Sequence, residues 1–184
     1  LDVSAQGALL EDWLRLILGT DYGMHGVLDF QVRLAGTTSL LRVSGNTTLT
    51  ELHRWDKVSV AGAPALRGKI EGFLDVAAGS LELTSFEAPL PPGSVVVEGR
   101  IARLFQDPRP ELRAQVSSVP LATLVEVAKS FTDRLPTGFE GEGTLAGELE
   151  MAGGLASLTG NLRVTDAAFE EQETRAALRL SDFS

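Results

Sequence analysis

The chain has 184 residues, enough for one domain with a substantial core, and its 43% hydrophobic and 22% charged residues place it among globular sequences. A net charge of -9 and an isoelectric point near 4.7 exclude an extended nucleic-acid footprint, which needs clustered Lys and Arg to release counterions. The absence of cysteine removes disulfides, thiolate nucleophiles and cysteine metal sites together.

In chain order, residues 8–18, "ALLEDWLRLIL", place Leu10, Trp13, Leu14, Ile17 and Leu18 on one helical face, and Gly19 stops the helix. Trp13 belongs to that face and is expected in the core. Alternation with period two then sets in. "GVLDFQVRLAG" puts Leu28, Phe30, Val32 and Leu34 opposite Asp29, Gln31 and Arg33; "LRVSGNTTLTE" aligns Leu41, Val43, Gly45, Thr47 and Leu49. Trp55, in "HRWDKVSV", is expected at the start of a strand. "RGKIEGFLDV" aligns Ile70, Gly72, Leu74 and Val76, and "SVVVEGRIAR" aligns Val95, Val97 and Ile101 against Val96, Glu98 and Arg100. A second helix is expected over residues 120–131, "PLATLVEVAKSF", with Ser118 as its N-cap and Pro120 in its first turn. Beyond it Leu145, Leu149 and Met151, then Leu162 and Val164, continue the alternation. In all, about ten strands are expected, joined by turn signals such as "LPPG" and "DPRP".

The order of these pieces repeats. Gly26-x-Leu28 through Ala35-Gly36, then Ser44-Gly45-Asn46 to Thr50-Glu51, matches Gly143-x-Leu145 through Ala152-Gly153, then Thr159-Gly160-Asn161 to Thr165-Asp166. Each copy follows a short amphipathic helix, so units near 3–60 and 117–172 are expected within a single section, 1–184, of a longer repeat-built protein. The opening "LDVS" and the close within an alternating run, "TRAALRLSDFS", favour an excised piece. No run of 18 apolar residues is present and no signal peptide is visible.

Catalytic signatures are missing: no phosphate-binding loop, zinc-protease helix, nucleophile elbow or calcium loop can be read. "GEGTLAG" (141–147) mimics a dinucleotide fingerprint but sits inside a strand pattern, where its glycines mark bends, bulges or close packing. His25 and His53 are expected as ordinary surface or turn residues, and Glu170, Glu171 and Glu173 as a solvated strand end. Asn46-Thr47-Thr48 fits a glycosylation acceptor, but the second copy keeps only Gly160-Asn161, which assigns the pair to a turn or strand start. No catalytic residue, metal or cofactor is expected, and nucleic acid is not a partner.

The two copies, with "SVPLATLVEVA" ahead of the second, resemble the AsmA-like family most clearly over 112–172 and more weakly over 3–60. The resemblance implies an envelope protein of AsmA or TamB type. Such a protein has a β-rich periplasmic body, anchored to the inner membrane by a segment outside this stretch, and a curved or taco-shaped sheet whose apolar groove carries phospholipid between membranes.

An area count bears on such a groove. Ten eight-residue strands offer a face of roughly 1,300 Å², and two short helices cover only about 360 Å² of it. The uncovered apolar face must close on itself, pack on more chain, or hold apolar ligand. The expected fold is therefore mainly β: an extended, curved antiparallel sheet, as an open barrel or groove, with two short amphipathic helices. The expected role is non-enzymatic phospholipid transport or outer-membrane maintenance. Candidate lining residues, chosen by alternation, are Leu28, Phe30, Val32, Leu34, Val95, Val97, Ile101, Leu145, Leu149, Met151, Leu162 and Val164. The expected partners are phospholipid acyl chains, neighbouring repeats of the same chain and envelope proteins. The alternative is a protein-interaction or assembly module, serving outer-membrane protein biogenesis, in which the same residues form a closed core.

Overall fold

The computed structural model describes residues 1–37, 39–57, 65–132, 134–136, 138–153, 157–171 and 176–180. These form β1 (Asp2–Leu9), α1 (Leu10–Leu18), β2 (Met24–Thr37), β3 (Leu40–Arg54), β4 (Leu66–Asp75), β5 (Ser80–Leu90) and β6 (Gly93–Ala102). They continue with β7 (Arg109–Pro120), α2 (Leu121–Lys129), β8 (Phe139–Ala152), β9 (Leu158–Glu171) and β10 (Ala176–Leu180). The strands make one ten-stranded antiparallel sheet in the order of the sequence, β1 to β10. The fold is thus mainly β, with an open, curved sheet and two helices. Among the described residues β1 pairs only with β2, and β10 only with β9. The accessible surface, 11288 Å², exceeds the ~8,600 Å² that a compact monomer of this mass exposes, as an open sheet requires.

Two contacts bend the sheet. In a flat sheet β3 and β7 would lie about 19 Å apart. Yet the Arg54 N–H, at the end of β3, donates to the Ser130 carbonyl at the end of α2, which packs on β7 and β8 (3.1 Å). Likewise Gly19 at the end of α1 lies against Pro108, which precedes β7. Gly19 is left-handed (φ 80°), and its N–H donates to the Arg15 carbonyl, so the predicted stop is a glycine C-cap.

Both helices start from β-bulges rather than from polar caps. Ser118 is not the N-cap of α2: Pro120 holds that position, and Ser118 is a left-handed residue (φ 48°) in the bulge between Val116 and Val119. β1 has the same irregularity between Ala5 and Ala8, with Gly7 at φ 67°. Each bulge residue stands three positions before its helix, at Leu10 and Leu121. A second bulge recurs opposite them, in β3 with Glu51 at φ 54° and in β9 with Asp166 at φ 53°.

Other differences from expectation are local. Trp55 follows β3 in a turn instead of starting a strand and is 68% exposed. Val76 lies in the turn after β4, also exposed. Gly45-Asn46 sit in the middle of β3 rather than at a turn or strand start, whereas Gly160-Asn161 are the third and fourth residues of β9, at the strand start expected for them. At Gly160 (φ 153°) a Cβ would stand 2.1 Å from the Glu148 carbonyl oxygen, so close strand approach explains that glycine. Glu173 and the segment after Lys57 lie outside the described residues.

Candidate functional site

Strand register decides which side chains share a face, because directly paired residues point the same way. Following the pairs across the sheet, Leu34, Val43, Gly72, Leu83, Gly99, Leu112, Met151 and Leu158 form one row. An adjacent row on the same face runs through Val32, Gly45, Ile70, Phe86, Val97, Ala114, Leu149 and Gly160. No charged side chain interrupts either row. Phe30, Leu28, Val95, Ile101, Leu145, Leu162 and Val164 alternate with these along their own strands, so register brings all the predicted lining residues to one face.

Burial grades that face. Ile101 is buried at 4% exposure, Leu162 is exposed at 37%, and the other candidates are half-buried. The helices cover the end of the face from which β2 and β8 start. Trp13 of α1 sets its ring edge-on to Phe30 (4.9 Å between centroids) on the apolar face, and is half-buried rather than in the core expected for it. A Cβ on Gly26 would meet Leu10 of α1, and one on Gly141 would meet Val125 of α2. Phe139 and Phe169 stack at 5.7 Å beside that second helix.

The opposite face is polar and laced with charge. Arg113 pairs with Glu148 (3.4 Å) and Glu150 (3.2 Å), and Lys69 with Glu71 (2.9 Å). Lys69 holds the Glu71 carboxyl below the usual carboxylate range, as Arg33 does for Asp2. A trough of ≈ 960 Å³ lies between the row of Glu82, Arg100 and Glu111 and the row of Glu98, Arg113 and Glu150. These are exposed pairs, worth little individually, that keep this face in water.

His25 and His53 are not isolated turn residues. They are cross-strand partners in β2 and β3, with rings 5.9 Å apart, and His25 Nδ1 lies 3.1 Å from the nearly buried Glu11 carboxylate. Alternation within a single strand carries no sign of this, since the pairing depends on the β3 bulge. Among the described residues, no group of His, Cys, Asp or Glu could hold a metal ion. Glu170 is an exposed residue of β9 that pairs with Glu140.

One sheet, open at its edges, with one apolar and one charged face, defines a groove-type β architecture. No described helix is long and apolar enough to cross a membrane. The chain matches no protein-family model, no curated protein and no solved structure.

Proposed function

We propose that the chain is a periplasmic section of an AsmA-like protein, anchored to the inner membrane through a segment outside this stretch. Its apolar face would receive phospholipid acyl chains in transit between the inner and outer membranes. The observation that supports this reading is the half-burial of a continuous apolar face on an open sheet. A closed core would bury those residues, and a solvated face would carry polar ones. Each methylene moved from water onto such a face contributes about 0.8 kcal/mol, so tails are held without a charged headgroup pocket. Headgroups stay in water along the mouth of the groove, and no bond is made or broken.

The test is lipid extraction and mass spectrometry of the chain purified from envelope. Phospholipid co-purifies with the parent chain, and the Val97→Asp, Leu149→Asp double variant retains less than about a tenth of it, because unpaired carboxylates on the apolar face are costly. Equal phospholipid in the variant, with the sheet intact by circular dichroism, rejects the reading. So does repeated absence of phospholipid from the parent chain.

A further inference from the structure

The edge of β1 is built like a position that is occupied elsewhere in the same molecule. Counting back from the first residues of the two helices, Gly7 corresponds to Ser118, Gln6 to Ser117, Ser4 to Gln115 and Asp2 to Arg113. Both strands carry the left-handed bulge residue and both pass into a helix over the apolar face. β7, however, has a strand on each side, while β1 has only β2 among the described residues. Beside β1, the place that β6 fills at β7 holds no described strand.

Backbone polarity agrees. Leu1 and Leu34 exchange both of their N–H to C=O bonds (2.9 and 2.8 Å), so the alternation of an antiparallel ladder turns the amides of Asp2, Ser4 and Gln6 away from β2. Their equivalents Arg113, Gln115 and Ser117 are paired with Glu98, Val96 and Ser94 of β6.

We propose that β1 is a docking edge for an antiparallel strand of β6 type, with a glycine facing the Gln6–Gly7 bulge, apolar residues at every second position after it, and a basic residue facing Asp2. The glycine follows from Gly93, where a Cβ would stand 2.2 Å from the Ser117 carbonyl oxygen and 2.3 Å from that of Ser118. The apolar alternation is that of Val95 and Val97, which would extend the apolar face by one strand. The basic residue follows from charge: in the β6–β7 pair Glu98 faces Arg113, and at β1 the facing position is Asp2. Recognition is by main-chain hydrogen bonds with side chains setting register, the logic of strand addition. This inference does not depend on what the apolar face carries.

The probe is a synthetic peptide of residues 93–102 with Glu98→Arg, added to the full 184-residue chain and followed by amide hydrogen exchange. The amides of Ser4 and Gln6 slow by about tenfold or more at saturation. Two controls are expected to abolish the effect. One is a peptide that also carries Gly93→Val. The other is the chain with Ser4→Pro, which removes a donor from the open edge while the ladder to β2, checked by circular dichroism, stays intact. No slowing in β1, slowing retained with the valine peptide, or slowing confined to β10 each overturns the proposal.

Discussion

The segment β1–α1–β2–β3 and the segment β7–α2–β8–β9 share a backbone plan but are filled differently. Their bulges coincide, at Gly7 and Ser118 and again at Glu51 and Asp166, and each helix covers the same end of the apolar face. In the second segment Val119, Leu121 and Val125 are buried, Val119 completely. The corresponding positions in the first are Ala8, Leu10 and Leu14, of which only Leu10 is buried. There the first helix is tied down by a carboxylate on His25, where the second helix has Ala122 in place of Glu11. Bulges and helix starts set the same frame in both segments, and the residues that follow the bulge are buried more deeply in the second.

The largest expected effect separates the two segments by burial. Val119→Asp places a carboxylate where no water reaches and costs about 3–5 kcal/mol in urea unfolding. The equivalent Ala8→Asp is half-exposed and costs well under half as much. Equal losses would mean that the two fillings do not differ.

A smaller pair of changes exchanges the bulge residues and should have opposite signs. A left-handed backbone costs a non-glycine residue about 1 kcal/mol, so Ser118→Gly stabilises and Gly7→Ser destabilises by about that amount. Thermal midpoints that move in the same direction for both variants contradict the shared frame.

The smallest effect is acid sensitivity. Arg33 lowers the pKa of Asp2. A hydrogen bond from the Gly23 N–H and then Arg15 lower that of Asp21, and Arg54 lowers that of Asp56. A carboxyl with a depressed folded pKa adds stability above its unfolded pKa and loses it as pH falls through the folded value, so this support fades below about pH 4. These three groups belong to the first segment or its flanks, as do both tryptophans, Trp13 and Trp55, while a fourth lowered carboxyl, Glu71, lies in β4. Tryptophan fluorescence is therefore expected to change at a higher pH than far-ultraviolet circular dichroism during acid titration. Coincident transitions would show that the edge segment is no weaker than the rest.

Alternation and helical spacing made the strands, both helices and the glycine stop at Gly19 legible, because each depends on residues close in sequence. The bulges escaped, since Ser118, Glu51 and Asp166 are left-handed only because strand pairing holds them there. For the same reason Ser118 looked like a cap, and the meeting of His25 with His53 could not be read. Which apolar residues share one side is readable from alternation, since parity survives along each strand. Their graded burial needed the curl of the sheet, which the contacts of Arg54 with Ser130 and of Gly19 with Pro108 set.

That every strand pairs with its neighbour in sequence has a consequence for how the chain acquires its shape. Most neighbouring strands are joined by a few residues and two pairs through a helix, so no strand waits for a distant partner and the entropic cost of each new pairing is modest. The Arg54–Ser130 bond is different, because it joins parts that meet only after β4 to β7 have formed. Bending at this bond therefore follows, rather than guides, the pairing of β3 through β7.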